Sequence, residues 1–136
     1  MRKLLLCVVL GAVFGGLPVA AASPTVRLTI IHVFRGCHVW GTADGRPLGA
    51  SYTITVMRGT RLVIRDNCPM AFDVVQIAGP RLALGPSRWQ PGTTHTLVFL
   101  VPGVFKLRAT NVQTSEEMGL ATLGPDNTPV LTIRVR

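Results

Sequence analysis

Several kinds of chemistry are missing from this chain. Gly-x-Ser-x-Gly is absent, and so is His-Glu-x-x-His, so neither the serine-hydrolase elbow nor the helical zinc-protease motif is present. No Gly-rich loop follows a strand and opens a helix, which removes the usual phosphate cradle. Arginines are scattered, with no basic run and no aromatic platform, so the excess of 14 Lys and Arg over six Asp and Glu is not a nucleic-acid signature. No stretch of ten residues carries apolar i, i+3, i+4 spacing, so long helices are not expected. Internal repeats, low-complexity tracts and inter-domain linkers are lacking too. The chain reads as a non-enzyme.

What is present begins with a leader. Arg2 and Lys3 precede an apolar run, Leu4 to Leu17, and Ala20-Ala21-Ala22 supplies small residues. This is the pattern of a secretory signal peptide, residues 1–22, too short and wrongly flanked for a membrane anchor. Cys7 is expected to leave with it. Residues 23–136 then form one domain, long enough for a hydrophobic core, exported to a periplasmic or extracellular place. No later apolar run spans a membrane. Without Arg2 and Lys3 the net charge of +8 becomes +6, which suggests attraction to an anionic cell-envelope surface or a partner protein.

The domain reads as all-β. Thr25 to Phe34 is apolar and β-branched. Ser51 to Met57 alternates, with Tyr52, Ile54 and Val56 on one face. Thr60 to Arg65 places Leu62 and Ile64 opposite Arg61 and Arg65. Phe72 to Ala78, Thr93 to Leu100, Val104 to Ala109 and Val130 to Val135 continue the pattern. Asp44-Gly45, Arg58-Gly59, Gly79-Pro80, Pro91-Gly92 and Pro102-Gly103 are turn signals. About seven or eight short strands at this spacing predict a two-sheet β-sandwich.

The chemistry gathers in Asp66-Asn67-Cys68-Pro69-Met70. Pro69 stiffens this loop by fixing its own φ and biasing Cys68 towards an extended conformation. Met70 follows Cys68 by two residues, a spacing that in a strand puts both sulfurs on one face. The other mature cysteine, Cys37, is followed by His38, and the two loops are expected to meet. Two readings stay open. Cys37 and Cys68 form a disulfide, worth roughly 3 kcal/mol to a domain of this kind, or Cys37, Cys68 and Met70 are soft donors for Cu(I), with His38 as the nitrogen. Adjacent Cys37 and His38 share one ion only if the chain bends, which Gly36 permits. His32 lies within an apolar strand and reads as structural, and His95 shares a face with Leu97 and Phe99.

The order of motifs resembles a small exported cupredoxin. The likeness is carried by Met57-Arg58-Gly59-Thr60, by Asp66-Asn67-Cys68-Pro69-Met70-Ala71-Phe72-Asp73-Val74-Val75, by Thr96-Leu97-Val98-Phe99 and by Pro102-Gly103-Val104-Phe105-Lys106. It covers nearly all of residues 23–136 and implies a Greek-key sandwich with a site at its loop end. It also implies that Glu116, Glu117 and Met118 fall where cupredoxins place ligands, so Glu116 and Met118 are possible additional metal ligands. The departures are specific. The first copper histidine of the family aligns with Phe72, and the ligand cysteine aligns near Ala109. A blue-copper centre needs two His and one Cys in trigonal array, so electron transfer of that kind is not expected. The sequence points instead to copper handling, with a metal-free, disulfide-stapled binding module as the alternative.

Overall fold

The structure, a computed structural model, describes residues 22–33, 37–112 and 127–136; the expected leader and the Glu116, Glu117 and Met118 loop lie outside these residues. Among them ten strands run in order: β1 (Thr25–Val33), β2 (Cys37–Thr42), β3 (Pro47–Gly49), β4 (Ser51–Val56), β5 (Arg61–Asp66), β6 (Ala71–Ala78), β7 (Arg88–Trp89), β8 (Thr94–Val98), β9 (Gly103–Val112) and β10 (Val130–Val135). They form two five-stranded sheets, β3-β2-β1-β5-β8 and β4-β10-β9-β6-β7. The expected all-β sandwich is what forms. Strands β2, β3 and β7 are additions to the expected set. The last two are only three and two residues long and sit at sheet edges, Trp89 pairing with Phe72 and Gly49 with Trp40.

Alternation explains why these segments bury one face. In β5, Leu62, Ile64 and Asp66 are buried while Arg61 and Arg65 are exposed. In β9, Phe105, Leu107 and Ala109 are buried while Lys106 and Arg108 are exposed. The inner faces meet as one apolar core that includes Ile30, Trp40, Leu62, Ile64, Phe72, Trp89, Leu97, Phe105, Leu107 and Ile133. Full burial of a large apolar side chain contributes about 1.5–3 kcal/mol relative to exposure, so this core is the main source of stability. The rings of Phe99 and Phe105 pack edge to face with centroids 5.2 Å apart.

Strand direction decides where the loops gather. β1 and β5 are parallel, β1 and β2 antiparallel, and β6 and β9 antiparallel with Ala71 opposite Val112. The end of β1, the start of β2, the end of β5, the start of β6 and the end of β9 therefore share one end of the sandwich. Asn127, just before β10, reaches the same end through its contact with His38. Among the described residues no helix is long and apolar enough to cross a membrane.

Candidate metal centre

The loop end is built first from the β1–β2 hairpin. Its register sets Ile30 opposite Trp40, His32 opposite His38 and Val33 opposite Cys37. Side chains two apart in a strand share a face, so both histidines extend the inner face carrying Ile30 and Trp40. His38 is 1% exposed. Its Nε2 lies 3.3 Å from His32 Nδ1, the ring centroids are 5.1 Å apart, and the planes meet at 66°. His38 Nδ1 faces Asn127 Oδ1 at 3.3 Å. Burial lowers the His38 pKa; the Asn127 bond opposes this shift and the charge of His32 adds to it. A neutral imidazole results, the form that ligates metal.

The second wall comes from β5, the 67–70 loop and β6. Phe72 is fully buried and its ring meets His38 edge to face, centroids 5.2 Å apart. The position where the resembled family has a histidine thus holds the wall against which a histidine from the opposite sheet packs. Ala109, at the family's cysteine position, is fully buried beside Val74. Met70 Sδ accepts a bond from Asn111 Nδ2 at 3.2 Å, and Met70 lines a cleft of about 260 Å³ with Pro69, Gln90 and Val112.

Cys68 is a free thiol and nearly buried. Its pKa is pushed up to about 12, first by burial, then by the charge and side-chain contact of Asp66. Asp66 is itself fully buried at the inward end of β5. Its Oδ1 accepts the Cys68 backbone N–H at 2.9 Å, and its Oδ2 has no hydrogen-bond partner. Burial raises the carboxyl to about 6 against the pull of its bonds with Cys68.

Of the expected site residues, His38, Cys68 and Met70 share the loop end. Cys37 opens β2 there, opposite Val33; its side chain, the expected alternative disulfide partner of Cys68, lies outside the described residues, as do Glu116 and Met118. Among the described residues no three His, Cys, Asp or Glu side chains cluster closely enough to hold a metal ion by themselves. The nitrogen and sulfur groups at this end fit a soft or borderline ion best, since thioether and thiol select Cu(I) and imidazole accepts it. His95 lies near the start of β8, opposite Ile64 and so towards the same end of the sandwich, with its ring stacked on Trp89 at 4.1 Å and planes 7° apart rather than against His38. Along the sequence His32 reads as structural and Asp66 only as the start of the 66–70 stretch, and neither Asn111 nor Asn127 is singled out.

No protein-family model and no curated protein matches the chain. Among solved structures it is similar to a purple cupredoxin from Nitrosopumilus maritimus, at 14% identity and a TM-score of 0.47, over 79% of this chain and 98% of that one. It is similar to a cysteine protease inhibitor from Entamoeba histolytica, at 9% identity and 0.49, over 84% and 97%. It is also similar to the reduced state of an amicyanin mutant, at 15% identity and 0.45, over 88% and 87%. The sandwich itself rests on the strand pairing described above.

Proposed function

We propose that this is an exported, non-catalytic cupredoxin-like protein that binds copper as Cu(I) at the loop end of its sandwich. It handles copper rather than passing electrons through a blue-copper centre. The observation that supports the reading is the placing of a buried His38, whose pKa burial lowers, at the same end of the sandwich as Cys68 and Met70. His38, Met70 and Cys68 would hold the ion, with Cys37 as a further sulfur donor and Glu116 and Met118 as additional ligands. A thiol raised to about 12 releases its proton only to a strongly thiophilic ion, so loading at neutral pH should release a proton.

Competition against a Cu(I) chelator tests this. Reduced protein lacking residues 1–22 should bind one Cu(I), and Cys68→Ser should weaken binding more than His95→Ala. Equal affinity of wild type and Cys68→Ser would remove Cys68 from the site. With Phe72 and Ala109 at the family's ligand positions, the Cu(II) form should lack an intense blue thiolate band.

The deep burial of Cys68 favours one second reading. Cys37 and Cys68 would pair in oxidised material, the protein would hold no metal, and its basic surface would dock the cell envelope or a partner protein. Mass spectrometry of the exported protein, intact and after reduction, separates the two.

A further inference from the structure

We propose that His32 and His38 form a two-imidazole clamp for the ion, with Asn127 as the positioning residue that turns the His38 lone pair towards His32. The clamp rests on the copper-binding reading above and adds a ligand to it.

The hairpin register makes the clamp possible. A directly opposed pair on an antiparallel ladder presents both side chains on the same face, and His32 opposite His38 is such a pair. The facing nitrogens, Nδ1 of His32 and Nε2 of His38, are 3.3 Å apart. That is long for a hydrogen bond between ring nitrogens. It matches the separation of two imidazole nitrogens bound to one tetrahedral ion: with metal–nitrogen bonds of about 2.0–2.1 Å, the nitrogens stand about 3.3–3.4 Å apart. Two-coordinate linear binding would need about 4 Å by the same arithmetic. The spacing therefore suits a bent site with further positions left for sulfur.

Asn127 supplies the second observation. An amide oxygen only accepts, so Asn127 Oδ1 facing His38 Nδ1 requires the proton on Nδ1. Nε2 is then the bare nitrogen, and it is the one that faces His32. A ligating imidazole is characteristically oriented in this way through its other nitrogen. Phe72 packs against the His38 ring, and the backbone pairing of β1 and β2 holds both histidines in register. His32 is exposed while His38 is 1% exposed, so an ion enters past His32 and ends against a ring held from behind.

The test titrates Cu(I) against a competing chelator into wild type, His32→Ala, Asn127→Ala and His95→Ala, with X-ray absorption of the loaded wild type to count imidazoles. His32 is exposed, so its truncation leaves the core intact, and circular dichroism checks each variant. Expected are two imidazoles in wild type, at least about tenfold weaker binding in His32→Ala, about ten- to hundredfold in Asn127→Ala, and no change in His95→Ala. Nitrogen chemical shifts of the metal-free protein should show His38 protonated on Nδ1, with Asn127→Ala moving it towards the Nε2–H form. If wild type binds Cu(I) with one imidazole or none, or His32→Ala binds as tightly as wild type, the clamp is wrong and copper binding through sulfur stands. If wild type binds no Cu(I), both fall.

Discussion

Asp66 closes a short loop onto Cys68: one carboxylate oxygen accepts the Cys68 backbone N–H at 2.9 Å, and the other is buried without a partner. The pair lies where β5 leaves the sheet, with Asn67 N–H donating to the Ile30 carbonyl and Gly92 N–H to the Asp66 carbonyl. The backbone of this turn is thus held on two sides while the carboxyl faces the core. Burial outweighs the hydrogen bonding, and the carboxyl rises from 3.8 to about 6.

That shift makes stability depend on pH in an unusual sense. The folded pKa lies above the unfolded one, so the fold prefers the protonated acid. Between about pH 4 and 6 the unfolded chain ionises while the folded one keeps its proton, and stability falls as pH rises. A shift of this size corresponds to on the order of 3 kcal/mol. Asp66→Asn keeps an acceptor for Cys68 and cannot ionise. Denaturant unfolding at pH 4, 5, 6 and 7 should show the variant gaining on wild type by about that amount over the interval, then holding level. A difference that stays flat with pH would refute the assignment.

The Cys68 thiol should be nearly inert in the native, reduced, metal-free protein. Alkylation needs the thiolate, and a pKa of about 12 leaves a thiolate fraction at pH 8 some three orders of magnitude below that of an ordinary thiol. Iodoacetamide labelling followed by peptide mass spectrometry should find Cys68 modified slowly in buffer and quickly in denaturant. Rapid native labelling would mean that the loop opens readily and that the thiol is available without metal.

Much of the fold was legible because its strands alternate strictly. Arg61, Arg65, Lys106 and Arg108 mark the wet faces, and Leu62, Ile64, Phe105 and Leu107 the dry ones. Strands β3 and β7 carried no such signal: three and two residues have too little length to alternate, and their pairing is decided by Trp40 and Phe72 on other strands. His38, Cys68 and Met70 could be placed at one end because turn signals bracket them. His32 could not, since along β1 alone it continues the face of Leu28 and Ile30. Only the antiparallel register of β1 against β2 sets it opposite His38. Asn111 and Asn127 meet the site across 41 and 89 residues of sequence, and nothing local announces them.

Gly79 is expected to be the least replaceable of the turn glycines. Its φ is +99°, and an added Cβ would press on the Val104 carbonyl oxygen and sit 2.8 Å from Phe105 Cα. Both are backbone atoms under the core ring of Phe105, so neither gives way cheaply. Gly79→Ala should cost about 3 kcal/mol or more. Gly45 has φ +82° with open space around it, so Gly45→Ala should cost only about 1 kcal/mol. Chemical denaturation of the two variants gives the comparison, and equal losses would show that backbone strain rather than the close approach to β9 sets the cost.

The stack of His95 on Trp89 sets two effects against each other. A protonated imidazole over an indole face gains about 0.5–2 kcal/mol of cation–π attraction, which would raise the histidine pKa. Partial burial disfavours the charge and lowers it, and here burial prevails. Thr93 Oγ1 donates its proton to the Gln90 carbonyl at 2.6 Å, so it accepts from His95 Nε2–H at 2.9 Å, a bond that the neutral Nε2–H tautomer and the cation both make. The folded pKa therefore lies below 6.5, and the stability from this neutral histidine is complete above the unfolded value and lost as pH falls through that window. Because imidazolium quenches a stacked indole, Trp89 emission should drop only below pH 6.5, and His95→Gln should abolish the drop. Trp40→Phe leaves Trp89 as the sole reporter. Proton NMR of the His95 ring gives the same midpoint independently, and a midpoint above 6.5 would mean that cation–π attraction wins over desolvation at this stack.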